Sequence, residues 1–170
     1  MPNSLLNRCQ PNCIDGYRAA AKIGFADGLL IEQGGWDHRT GAIYLWGYTA
    51  EMTVKAAYFL AIGFADDRLI LIRDLHDAAN AGLNLAISWP IKGKLHNIRA
   101  WTELLVRTRS STPGLAYPDA TFSDRVIDAG LSLERLWSEE LRCHGTVAYE
   151  HELRSVKDTA AWFLAHSSRL

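Results

Sequence analysis

Residues 42–62 read AIYLWGYTAEMTVKAAYFLAI, the most apolar run in the chain and the one that most restricts its fold. The run is long enough to cross a bilayer, yet Glu51 and Lys55 stand near its middle, where each would be costly in hydrocarbon. Its apolar residues go nearly all the way round a helix, from Asp37 to about Ile62. A helix of that kind outside a membrane belongs at the centre of a bundle, covered on every side.

The rest of the sequence supplies the covering helices. From Asp15 to about Gln33 apolar and small residues recur at helical spacing, with Ala20, Gly24 and Gly28 as a stripe that allows close approach of another helix. The glycines of QGGWD stop this helix, and Asp37 is a candidate N-cap for the central one. Gly63 is a candidate C-cap and Asp66 the expected start of a third helix over about 67–87. SWPIKGK breaks that helix. Leu95, Ile98, Trp101 and Leu105 mark a fourth, ending near Arg109. SSTPGLAYPD has the composition of a connecting loop. Beyond it Phe122, Val126, Ala129, Leu133 and Leu136 follow a 4-3-4-3 spacing, and Tyr149, Leu153, Val156, Ala160 and Phe163 repeat it, as in the seam of an antiparallel bundle. No segment alternates as a strand does. The expected fold class is all-α, about six helices in an antiparallel up-and-down bundle. It forms a single domain over residues 14–170, preceded by a flexible arm over residues 1–13.

IGFADGLLI at 23–31 and IGFADDRLI at 62–70 are nearly the same, but the likeness ends at once on both sides. Repeat proteins extend such similarity over a whole unit, so this is no solenoid.

Eighteen basic residues face nineteen acidic ones, a net charge of −1 that argues against general charge-driven binding to nucleic acid or membrane. Three cysteines make an odd and sparse set, which favours a reducing cytoplasm over a secreted disulfide framework. Six tryptophans are many for this length and point to aromatic anchors in a core or an interface.

Stand-alone enzyme motifs are missing. Gly34 and Gly35 are an isolated pair and not a phosphate loop, and neither G-x-S-x-G nor H-E-x-x-H occurs. Cys9 with Cys13, and Cys143 with His144 and His151, lack the spacing of a four-ligand zinc site, so no metal and no cofactor is expected. Glu51 and Lys55 are four apart with the acid first, the favourable order for a helical ion pair. In a buried helix the two must form a closed pair, face a polar cleft or meet an interface.

The surroundings of these two residues carry a family resemblance. GAIYLWGYTAEMTVKAAYFLA resembles the second-helix signature of HEPN-type helical domains (higher eukaryotes and prokaryotes nucleotide-binding). The matching residues are Gly47, Tyr48, Glu51, Val54, Lys55 and Ala56. KLHNIRAW, with His96, is similar to a step opening a middle helix of that family. LWSEELRCHG is similar to a late Trp-x-x-x-x-Arg-aromatic step through Trp137 and Arg142, with Cys143 in place of the aromatic.

The resemblance spans about residues 15–166 as an order of helices. It implies a helical bundle that forms homodimers and works on or beside nucleotides and RNA, and it makes Tyr48, Glu51, Lys55, His96 and Arg142 candidate ligand-binding residues. Ribonucleases of the family carry an Arg, four to six residues and then a His. No Arg here does so: Arg68 to His76 spans seven intervening residues, while Arg135 to His144 and Arg142 to His151 each span eight.

The expectation is therefore a non-catalytic, cytoplasmic accessory module, its partner a nucleotidyltransferase-type protein, a nucleotide or RNA. One alternative is a metal-independent endoribonuclease of toxin or phage-defence type. There Arg142 holds a phosphate, His144 serves as acid and base, and Glu51 polarises the pair. Another is a purely structural interaction protein.

Overall fold

The computed structural model describes residues 12–89, 95–143 and 147–170, apart from the side chains of Arg142 and Cys143. Among the described residues the chain is all-helical. Six α-helices run in the order α1 (Ile14–Glu32), α2 (Arg39–Ala61), α3 (Ile72–Asn84), α4 (Ile98–Ser111), α5 (Ala120–Leu136) and α6 (Glu150–Ala165), and short 3-10 turns occupy Trp36–His38 and Glu139–Cys143.

The apolar run forms α2, and α2 is the axis of the bundle. Trp46, Val54 and Phe59 are wholly enclosed, and so are Thr49 and Glu51. α1, α4, α6 and the second 3-10 turn all pack on this helix. No helix among the described residues is long and apolar enough to cross a membrane.

α2 begins differently from the expectation. Asp37 falls inside the first 3-10 turn, and His38 occupies the N-cap position without a side-chain bond. At the other end Gly63 does what its position suggests. Its φ of 86° is left-handed, its N–H donates to Leu60 O, and the N–H of Phe64 donates to Phe59 O at 3.0 Å. This is a Schellman ending, and the accompanying apolar contact is Phe59 against Phe64 with centroids 5.0 Å apart.

α1 lies along α2 through two of the three expected stripe residues, Gly24 and Gly28, with Ala21 in place of Ala20. Tyr17, Ala21, Gly24 and Gly28 are buried, whereas Ala20 is half-buried at the edge. Glycine is needed at 28, because a Cβ there would stand 2.4 Å from Nε1 of Trp46. The start of α1 is also fixed. Cys13 is buried, its Sγ accepts from Gly16 N–H, and Asn12 O accepts from Ile70 N–H. The last two residues of the expected arm are thus part of the fold, and residues 1–11 lie outside the described residues.

The third helix is shorter than expected. Asp66 does not cap it: its carboxylate takes Arg18 at 2.9 Å and its carbonyl takes Asp15 N–H, which ties the turn after α2 to the start of α1. α3 starts instead at Ile72, where Asp74 Oδ2 accepts from Leu71 N–H at 2.7 Å. It buries Asp74, Ala78 and Gly82 and packs thinly on the rest.

α4 and α5 are capped by their own preceding residues. Asn97 accepts from Ala100 N–H and Asp119 from Thr121 N–H. Ile98, Trp101 and Leu105 are buried in α4, whereas Leu95, expected in the same helix, is buried in the segment before it. Phe122, Val126 and Leu133 of α5 and Leu153, Val156, Ala160 and Phe163 of α6 are buried as well. On α5 the contact with α4 runs through Gly130 in place of Ala129, and a Cβ on Gly130 would lie 2.1 Å from Thr102 Oγ1. Tyr149 leaves the α6 seam and stands 69% exposed.

A buried ion network around Glu51

Glu51 is fully enclosed in the middle of α2, and Lys55, one turn later, is almost so. The two form an ion pair between Lys55 Nζ and Glu51 Oε1. Lys55 also lies over the ring of Trp101, 5.1 Å from its centroid, so α4 covers the cation with an aromatic face. Trp101 is held in turn by its indole N–H, which donates to Leu95 O at 2.9 Å.

The network continues through the segment that precedes α4. His96 Nδ1 lies 2.9 Å from Glu51 Oε1 and 3.1 Å from Oε2. An ionised carboxylate only accepts, so the proton between them sits on Nδ1. The other ring nitrogen, Nε2, is 3.3 Å from Oε2 of Glu139 in the second 3-10 turn, and the imidazole is 36% exposed. One buried carboxylate therefore joins α2, the start of α4 and the turn after α5. Sequence reasoning missed Glu139, since only the fold brings residues 51, 96 and 139 together.

The tyrosines beside Glu51 remain neutral. Burial pushes the Tyr17 hydroxyl up to about 12, with Tyr48, Glu51 and Cys13 adding to it. Burial, then the charge of Glu51, then Tyr44 raise Tyr48 as well. Tyr48 is half-buried and stacks on Tyr44 at 6.4 Å.

Two residues that carry the family resemblance also meet in space. A Cβ on Gly47 would stand 2.1 Å from the ring of Trp137, whose indole N–H donates to Tyr44 O at 3.0 Å. Glycine at 47 gives Trp137 its seat, and Trp137 leads directly into the turn that carries Glu139.

Of the candidate ligand-binding residues, the structure brings Tyr48, Glu51, Lys55 and His96 to one place. Arg142 belongs to the Glu139–Cys143 turn that packs on α2, but its side chain lies outside the described residues, as does His144. Cys9 lies outside them too, and Cys13 is buried at the start of α1. Among the described residues no three His, Cys, Asp or Glu side chains are grouped to hold a metal ion.

The network can do two things chemically. It can hold three elements in register through buried charge, and it can present an imidazole at the surface with its inner nitrogen fixed by a carboxylate. No family model, no curated protein and no solved structure matches this chain.

Proposed function

We propose that the chain is a non-catalytic helical module of the HEPN-like kind, which forms a homodimer and binds nucleotide, RNA or a nucleotidyltransferase-type protein in the cytoplasm. One observation carries the non-catalytic part. Glu51, the most distinctive residue of the resemblance, has no exposed surface and is engaged by Lys55 and His96. A carboxylate enclosed in this way holds elements together and is out of reach of a substrate. Exposed apolar side chains support the binding part, since Leu60, Ile62, Leu69, Leu71 and Ile72 crowd the turn between α2 and α3. Sizing by light scattering, with calorimetric titration of nucleotides and short RNAs, tests the reading. A dimer that binds one of these ligands is expected, and a monomer that binds none overturns it.

A second reading, the metal-independent endoribonuclease, is favoured by the geometry of His96. Its Nδ1 is fixed by a buried carboxylate and its ring reaches the surface, the arrangement that orients an imidazole for proton transfer once Nε2 leaves the part-exposed carboxylate of Glu139. In this reading His96 is the acid–base in place of His144. RNA cleavage that His96→Ala abolishes would replace the binding reading with this one.

A further inference from the structure

A half-open cavity of about 330 Å³ lies where the first turn of α2, the end of α5, the second 3-10 turn and the start of α6 meet. Its floor is apolar, with Ile43, Leu136 and Leu141 among the side chains that line it, and Tyr149 stands exposed beside it. Two opposite charges, Arg135 and Glu152, line the same cavity.

These two charges do not pair with each other. Their neighbours do find partners: Glu134 takes Arg99, and Glu150 takes Arg39 and Arg154. Arg135 makes no ion pair or hydrogen bond among the described residues. Glu152 gives only Oε2 to the N–H of Tyr149, at 2.7 Å, which leaves Oε1 available. Arg135 is exposed and Glu152 half-buried, so a guanidinium and a carboxylate oxygen without protein partners stand at the mouth of an apolar cavity, a lining that suits a ligand with both charges and an apolar body.

The geometry points to this cavity as a binding site for a free α-amino acid with a large apolar or aromatic side chain. Arg135 takes the carboxylate, Oε1 of Glu152 takes the ammonium, and the side chain lies on Ile43, Leu136 and Leu141 beside the ring of Tyr149. The volume is at the small end of the range for small-molecule sites, which suits a ligand of this size. A peptide terminus brings only one of the two charges, and the carboxylate of Glu152 opposes the extra negative charge of a nucleoside phosphate. The inference does not depend on the nucleotide or RNA reading, because it rests on Arg135 and Glu152, two residues which that reading does not use.

Calorimetric titration of the full chain with L-Phe, L-Trp and L-Leu tests it, with N-acetyl-L-Phe, L-Phe amide and AMP as controls. At least one of the three amino acids should bind. N-acetyl-L-Phe and L-Phe amide should bind about tenfold more weakly than L-Phe, the weight of one lost charge-assisted bond. Arg135→Gln should weaken L-Phe by a similar factor and leave the amide unchanged. Glu152→Gln, which keeps an acceptor for Tyr149 N–H, should weaken L-Phe and leave the N-acetyl form unchanged. Circular dichroism of both variants guards against a folding defect. Absence of binding by all three amino acids overturns the inference, as does equal binding of the blocked forms, or AMP binding that Arg135→Gln removes.

Discussion

Glu51 and Lys55 show how costly a charge is in the middle of a core, and how the surroundings make it tolerable. Removing one partner leaves the other buried without its counter-charge, whereas removing both leaves apolar packing around α2 and costs only the bond to His96 Nδ1, whose ring is part-exposed to water. Lys55→Met should therefore cost about 3–5 kcal/mol in urea denaturation, because Glu51 keeps only His96. The double variant Glu51→Leu, Lys55→Met should recover the wild-type midpoint or exceed it, provided the pair is structural. Tyr17 makes a second residue-scale case. Its hydroxyl is held near 12 in the fold against an ordinary value of 10. The folded state thus keeps a proton that the unfolded state gives up, and stability falls as pH rises from 10 to 12. The loss over that window is about 2–3 kcal/mol at most. Below pH 10 both states are protonated and Tyr17 contributes no slope. Denaturation midpoints measured from pH 9 to 12 should drop in the wild type and drop less in Tyr17→Phe.

At the scale of elements, the contacts that decide positions run through glycine on one side and a large side chain on the other. Gly28 receives Trp46, Gly47 receives Trp137, and Gly82 receives Trp89. Each pairing lets a helix backbone take an indole that a methyl group would exclude. The Gly47 pairing fixes the approach of the 3-10 turn to α2, because the Trp137 N–H bond to Tyr44 O leaves the ring little room to move. Gly47→Ala should destabilise the fold by about 1–3 kcal/mol, the usual range for forced overpacking. It should also shift the tryptophan emission towards that of exposed indole. Unchanged emission and midpoint would mean that Trp137 has another seat.

Across the whole molecule stability is uneven. One continuous core joins α1, α2, α4, α5 and α6, while α3 buries just Asp74, Ala78 and Gly82 and leaves Ile72 and Leu83 exposed. Regions with few buried apolar contacts open before the global transition. Hydrogen exchange should therefore show amides of α3 exchanging through local opening, and those of α2 only through global unfolding. Equal protection in the two helices would contradict this division. The exposed side chains from Leu60 to Ile72 belong to the same thinly packed end.

Periodicity and punctuation are local properties, and they determined the all-helical class, the number of helices and the central place of α2. An apolar run with no polar face has no stable place in water except inside. The buried faces of α4 and α6 were legible for the same reason, since their apolar residues recur on one side. What local pattern left open is shown by IGFAD, which occurs twice. At 23–27 it lies inside α1, with Gly24 packed on Thr49. At 62–66 it ends α2, with Gly63 at positive φ and Asp66 bonded to Arg18. The same five residues take two conformations because their neighbours in space differ. The surroundings of Glu51 follow the same rule. Sequence placed it beside Lys55 on a buried helix, but the choice among closed pair, cleft and interface depended on His96 and Glu139, residues brought to it by the packing of α2, α4 and the turn after α5. Desolvation and ion pairing act between groups that are close in space, so only the tertiary structure decided them.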